Sequence, residues 1–173
     1  MSKSTVGLVY GGKSGEHEVS LQTAFAVMNA FDYNKYEIIP FYITKQGDWR
    51  KGELRQSPFE RIEELKLDDN SEGTQAALSL LFSRLYAGSE SSSVKVDLMF
   101  PLLHGTFGED GTIQGLFEMA NMPYVGAGVL ASAAGMDKVV MKKLFAEAGL
   151  PQCGYRYFTR SQWKRDSYEL IVD

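Results

Sequence analysis

Cysteine is nearly absent: Cys153 stands alone in 173 residues, so no internal disulfide framework holds the chain. Histidine is scarce as well. His17 and His104 with a single cysteine fall short of the four ligands of a structural zinc site. No apolar run approaches the roughly 18 residues of a membrane span. Residues 1–5 pass straight into a short apolar strand without a signal-peptide core. Surplus positive charge is missing too: 18 Lys+Arg against 22 Asp+Glu leave −4. That balance offers no footprint for nucleic acid or an anionic membrane, and neither is expected as a partner. A reducing, cytoplasmic compartment is the expectation. What is present is ordinary globular material. The chain is 44% hydrophobic and 12% aromatic, too apolar for disorder, and its length suits about one domain with a little over.

Apolar periodicity alternates between strand and helix. Residues 6–10 form an apolar run ended by Gly11-Gly12-Lys13-Ser14-Gly15. From Glu18 the spacing turns helical, with Leu21, Ala24/Phe25, Met28 and Phe31 on one face. Glu16 and Glu18 suit the positive end of that helix. A second strand is predicted over 37–43, where Pro40 points to an edge or a bulge. Gly47-Asp48-Trp49 reads as a turn, 59–67 as one short helix and 74–87 as a better one. The stretch 88–93 reads as a surface loop by composition. A third strand at 97–101 feeds a glycine-rich segment, and a helix follows with Ile113, Leu116, Phe117 and Ala120 at helical spacing. A fourth strand is predicted at 123–125, before Gly126-Ala127-Gly128. The last strong helix is predicted over 137–148, capped by Asp137 and stopped by Gly149 and Pro151. One further strand is expected at 155–159.

This alternation predicts an α/β fold with a doubly wound, mostly parallel sheet. Ligands in such sheets bind beyond the carboxyl ends of the strands. The loops 11–18, 102–111 and 126–128 are expected there; all are glycine-rich, and the first two carry both histidine and acid.

Two short motifs match by spelling alone. Gly7 through Ser14 spells G-x-x-x-x-G-K-S, a phosphate loop on Gly12, Lys13 and Ser14. Gly7, however, falls inside the predicted strand, and Glu16 and Glu18 would oppose a triphosphate. A P-loop nucleotide-binding protein is kept as the alternative from another class. Gly126-Ala127-Gly128-Val129-Leu130-Ala131 spells a dinucleotide turn, but Glu147, at the right distance for its acid, falls on a helix. A tight turn packing a helix against a strand accounts for it better.

Longer stretches are more specific. Gly11-Gly12-Lys13-Ser14-Gly15-Glu16-His17-Glu18-Val19-Ser20-Leu21 resembles the opening signature of the D-alanine–D-alanine ligases. Leu103-His104-Gly105-Thr106-Phe107-Gly108-Glu109-Asp110-Gly111-Thr112-Ile113-Gln114-Gly115 resembles their second signature. Pro123-Tyr124-Val125-Gly126 and Met136-Asp137-Lys138 match two further landmarks in order. The resemblance implies a Rossmann-like, pre-ATP-grasp substrate domain over residues 1–140 and the beginning of an ATP-grasp domain over 141–173. It also implies an ATP- and Mg²⁺-dependent ligase of cell-wall synthesis that dimerises. ATP phosphorylates the carboxylate of one D-alanine, the amine of a second attacks the acylphosphate, and phosphate leaves. Close relatives making D-alanyl-D-lactate or D-alanyl-D-serine share these signatures. A non-catalytic dimerisation module is a further reading.

By the same resemblance, Glu16 holds the ammonium group of the first D-alanine, through a charge-assisted hydrogen bond. Val19 lines the same pocket, and His104 reaches the first substrate. Glu109 supports His104 or the loop carrying Glu16. Gly105, Gly108 and Gly111 let backbone approach closely or take positive φ. Lys138 is directed at the nucleotide phosphates. No metal ligand is expected in this chain. From the residues alone, Glu16 complements a helix dipole, Val19 is core, His17 is a solvated loop residue and Cys153 a small packing residue.

The family's second nucleotide lysine, its serine-rich closing loop, its magnesium ligands and the donors for the tetrahedral intermediate have no match in this sequence. The tail 152–173, with Trp163, Tyr168 and Ile171, is expected either to pack poorly alone or to pair with another copy. Electrostatic stabilisation of the intermediate is usually the largest catalytic contribution, so these 173 residues alone are expected not to ligate D-alanine. The check is ADP release with excess D-alanine, ATP and magnesium. D-alanine-dependent turnover by the purified chain would overturn the expectation.

Overall fold

A computed structural model describes residues 3–85 and 95–165. Contacts divide the chain into two compact units, Met1–Met136 and Asp137–Asp173. The sheet of the first unit is built around β1 (Ser4–Gly11), whose Val6, Leu8, Val9 and Tyr10 are all buried. A strand apolar on both faces needs cover on both, and β1 has it. It pairs in parallel with β2 (Tyr36–Ile43) on one side and β4 (Leu98–Pro101) on the other. The short β3 (Trp49–Lys51) adds antiparallel to β2, giving the order β3-β2-β1-β4.

Successive residues of β1 point to opposite faces, and each face has its own helices. On one, α1 (His17–Ala30) sets Leu21, Ala24 and Met28 against Leu8, Tyr10, Ile38 and Tyr42. On the other, α2 (Thr74–Phe82) and α3 (Thr112–Met119) set Ala77, Leu80, Leu81, Ile113 and Phe117 against Val9, Ile39, Phe41 and Met99. The doubly wound, mostly parallel α/β sheet expected from the sequence is therefore present, with one antiparallel edge.

Pro40 resolves as a bulge. The bridge Ile38–Arg55 and the pair Phe41–Lys51 enclose one more residue on the 51–55 side than on β2. The Pro40 carbonyl accepts from Gly52 N on that side, so its missing N–H falls where the ladder is already interrupted. Other expectations shift. Trp49 begins a strand, and the turn lies just before it, closed by Gly47 N to Thr44 O at 3.0 Å. Only Ile62–Leu65 of the stretch 59–67 is helical, and as a single 3₁₀ turn. The helix predicted over 74–87 ends at Phe82 and tightens into a 3₁₀ turn, Ser83–Leu85, and its last residues lie outside the described ones. The loop expected at 88–93 also lies outside them. Residues 123–125 make one parallel bridge, Met99–Tyr124, instead of a strand. They lead into α4 (Val129–Met136).

In the second unit, α5 (Lys138–Glu147) begins where the sequence placed it. Asp137 Oδ1 accepts from Val139 N at 2.9 Å and Val140 N at 3.0 Å, a side-chain N-cap. Met141, Leu144, Phe145 and Ala148 fall at helical spacing, yet Leu144 and Phe145 of α5 are exposed, because no second layer lies against them among the described residues of that unit. Residues 155–159 form no strand, since among the described residues of that unit no neighbouring strand pairs with them, and 160–165 are helical. Trp163 packs on Phe158 with ring centroids 6.4 Å apart, while Tyr168 and Ile171 lie outside the described residues. Cys153 is exposed and packs nothing away. Among the described residues no helix is long and apolar enough to cross a membrane.

Candidate functional site

The site lies beyond the carboxyl ends of β1 and β4, as the fold class requires. Parallel pairing already sets these ends side by side, with Val9 opposite Pro101. One buried hydroxyl then joins them to α1. Ser20 Oγ donates to Leu102 O at 2.6 Å and accepts from Gly11 N at 2.8 Å. Each strand end thereby satisfies a polar group that its ladder leaves open.

The loop after β1 is pinned at several points. His17 is 2% exposed, not the solvated residue expected from the sequence. Its Nδ1 donates to Gly12 O at 2.6 Å, which leaves Nε2 to accept from the Tyr42 hydroxyl at 3.3 Å. Burial is tolerable because both ring nitrogens are bonded. Ser14 Oγ donates to His104 O at 2.6 Å and accepts from Glu16 N at 3.2 Å. The two signature segments are thus tied together through Ser14.

Glu16 stands at the N-cap position of α1, yet its side chain makes no cap hydrogen bond. It turns to the second loop: a Cβ placed on Gly105 would stand 2.6 Å from Glu16 Oε2. Gly105 also has φ +70°, so a side chain there is excluded both by conformation and by the carboxylate. Glu109 Oε2 accepts from Gly105 N at 2.7 Å and so holds the amide that follows His104. Gly108 lies against Leu103, where an added Cβ would come within 2.5 Å of the Leu103 Cβ. Val19 is 46% exposed, not core. The His104 ring meets α1, its Nε2 being 2.9 Å from Thr23 Oγ1. Glu16, His104, Gly105, Gly108 and Glu109 are brought together; Val19 lies one helical turn before Thr23 on α1. Lys138, the first residue of α5, belongs to the second unit and is exposed.

The neighbouring acids are occupied elsewhere. Glu18 is paired with Lys45 at 2.9 Å and Lys66 at 3.3 Å, and hydrogen bonds from these two lysines hold its carboxyl below the usual range. Partial burial pushes the Asp110 carboxyl up, but hydrogen bonds from the Phe107 and Thr112 amides, at 2.9 and 3.0 Å, outweigh it and leave it lowered.

Beside these loops opens a cavity of about 570 Å³, lined among others by Gly12, Lys13, Trp49, His104, Phe107 and Leu116. Glu16 and Val19 are not part of its wall; of the three expected substrate ligands only His104 lines it. The third glycine-rich loop is more remote. Its helix α4 comes close to Gly111, where an added Cβ would lie 2.8 Å from Val129 O.

The P-loop reading fails on this geometry. Gly7 sits in mid-strand opposite Met99. The Ser14 hydroxyl is committed to His104 O, and Lys13 Nζ lies 5.4 Å from the centre of the Phe107 ring. No helix starts at Lys13, because α1 begins at His17. Ser20 and Thr23 are not singled out by the sequence, which offers Ser14 only for a phosphate loop and His17 only as a solvated loop residue. The available signal was polar residues on and beside the sheet-facing stripe of α1, where Ser20 sits next to Leu21 and Thr23 next to Ala24.

Two consequences are measurable. Ser20→Ala strands a buried amide and a buried carbonyl, and should lower unfolding stability in urea by about 1–3 kcal/mol. The lowered Asp110 carboxyl makes a stabilising contribution that is present above its ordinary unfolded value, near pH ~3.9. That contribution is lost as pH falls through the lower folded value. The stability gap between wild type and Asp110→Ala should therefore be full at neutral pH and close in strongly acid solution.

Comparison with known proteins identifies the family and the fold. The family model described as D-ala D-ala ligase N-terminus matches residues 5–127. The D-alanine–D-alanine ligase of Bacillus cytotoxicus is 50% identical over 176 residues, covering 100% of this chain and 48% of the relative. That of Bacillus velezensis is 52% identical over 158 residues, covering 91% and 44%. Among solved structures, the D-alanine–D-alanine ligase of Coxiella burnetii superposes with a TM-score of 0.72 at 27% identity, over 99% of this chain and 49% of that one. The VanG D-Ala:D-Ser ligase of Enterococcus faecalis gives 0.70 at 34% identity, over 99% and 50%. The chain spans about half the length of the curated relatives it matches. With strand-end loops, signatures and fold in agreement, the chain belongs to the D-alanine–D-alanine ligase N-terminal family.

Proposed function

We propose that the chain is the substrate-binding N-terminal part of an ATP-dependent, ADP-forming ligase that joins two D-alanines for peptidoglycan synthesis. The observation that carries this reading is the Glu16 carboxylate. It caps nothing in α1 and is turned onto Gly105 beside His104. A carboxylate held there offers a charge-assisted hydrogen bond to the ammonium group of the first D-alanine. Exposed Val19 supplies apolar contact next to it, and His104 contacts the same substrate. Glu109, Gly105 and Gly108 keep the second loop close enough for this.

Residues 1–140 then form the substrate domain and 141–173 open the ATP-grasp domain. Lys138 is exposed at the start of α5, where a helix N-terminus favours anions, and is assigned to the nucleotide phosphates. ATP, when bound, supplies the phosphoryl group that activates the first D-alanine's carboxylate. Magnesium accompanies it in this reading, but among the described residues no three His, Cys, Asp or Glu side chains converge to hold a metal. No metal-dependent step is therefore assigned to them. A homodimer in the cytoplasm completes the proposal.

A second substrate of D-serine or D-lactate is the alternative, and the likeness to a D-Ala:D-Ser ligase favours D-serine of the two. Product analysis with D-alanine offered against each competitor separates the three. For the site itself, Glu16→Gln in the whole ligase should raise the KM for the first D-alanine by about tenfold or more, the equivalent of a lost charge-assisted hydrogen bond of ~1.5–3 kcal/mol. A rise of less than about threefold, under half of that energy, would remove Glu16 from the ammonium contact.

A further inference from the structure

We propose that Thr23 is a positioning residue for His104: its hydroxyl fixes which ring nitrogen is left for the first substrate. The inference rests on the reading of His104 as a substrate contact.

Thr23 sits one turn along α1 from Val19, and its Oγ1 has two neighbours. It donates to Val19 O at 3.0 Å and lies 2.9 Å from His104 Nε2. A hydroxyl carries one proton. With that proton on the Val19 carbonyl, the bond to histidine forms only if Nε2 carries a hydrogen and donates it. The chain Nε2–H to Thr23 Oγ1 to Val19 O then runs in one direction. Among the described residues no protein group bonds His104 Nδ1, so Nδ1 is the nitrogen left for a ligand. It accepts from an ammonium group when bare and donates to a carboxylate when protonated, and the first substrate carries both groups.

The residue is held at its other end as well. Ser14 Oγ donates to His104 O, and the same Oγ accepts from Glu16 N. His104 is thus fastened by backbone to the Glu16 loop and by ring to the Val19 turn. A threonine bonded to the carbonyl four residues back is common in helices. What marks this one is the imidazole completing the chain.

The test uses the whole ligase. Thr23→Val keeps the shape and removes the hydroxyl; Thr23→Ser keeps the hydroxyl. Thr23→Val should raise the KM for the first D-alanine about threefold to tenfold, the equivalent of one neutral hydrogen bond, and leave the KM for ATP unchanged. Thr23→Ser should stay within about twofold of wild type. On a His104→Ala background Thr23→Val should add nothing, since interacting residues are not additive. By NMR, the His104 Nε2–H signal should be protected in wild type and Thr23→Ser, and lost to solvent exchange in Thr23→Val. An unchanged first-substrate KM, an undiminished effect on the His104→Ala background, or an unprotected Nε2–H in wild type would each overturn the inference. Glu16→Gln separates the failures. If it raises the KM while Thr23→Val does not, the Thr23 inference alone falls; if neither does, the substrate-site reading falls with it.

Discussion

The Ser20 hydroxyl is the contact on which the rest of the site depends. It is buried, donates to the end of the β4 segment at Leu102 O, and accepts from the end of β1 at Gly11 N. Parallel strands deliver their loops to the same edge of the sheet, but the ladder stops where the loops begin. At that point the backbone needs another partner. Ser20 provides it from α1, the helix that also carries Val19 and Thr23. One side chain therefore fixes the separation of the two loops and the position of the helix start between them.

Outward from Ser20 the same chemistry repeats. Ser14 joins the first loop to the His104 carbonyl, and Thr23 joins the His104 ring to α1. Glu109 ties down the amide of Gly105, and His17 ties the Gly12 carbonyl to the core through Tyr42. Small hydroxyls suit this role. Each gives and takes a bond within one residue's volume, which close backbone approach at Gly105 and Gly108 demands. Glu16 stands out because its carboxylate makes none of these structural bonds, and that freedom is what a ligand contact requires.

Much of the architecture was legible from the residues. Apolar periodicity located β1, β2, β4 and α1, α3 and α5, and the Asp137 cap was readable because capping is a local interaction between neighbours in sequence. Trp49 was misread because Gly47-Asp48 is a turn signal and the strand begins directly after it. The stripe of Leu144 and Phe145 has helical spacing, but spacing says only that a face is apolar, not what covers it. His17 was misread for a related reason. A histidine between two glutamates looks solvated until the fold brings Tyr42, 25 positions away, to its Nε2.

The sequence by itself determined the α/β class, the order of strands and helices, and through two long signatures the family and the candidate ligands Glu16, Val19, His104 and Lys138. It did so because periodicity and signature spelling are properties of neighbouring residues. Only the tertiary structure decided that Glu16 faces Gly105, that His17 is core and that Ser14 cannot serve a phosphate. The tertiary structure also placed Ser14 and Thr23 on His104 and Ser20 on Leu102. Those contacts join residues some 80 to 90 positions apart. Their partners are chosen by the parallel register of β1 and β4, which no local stretch of sequence contains.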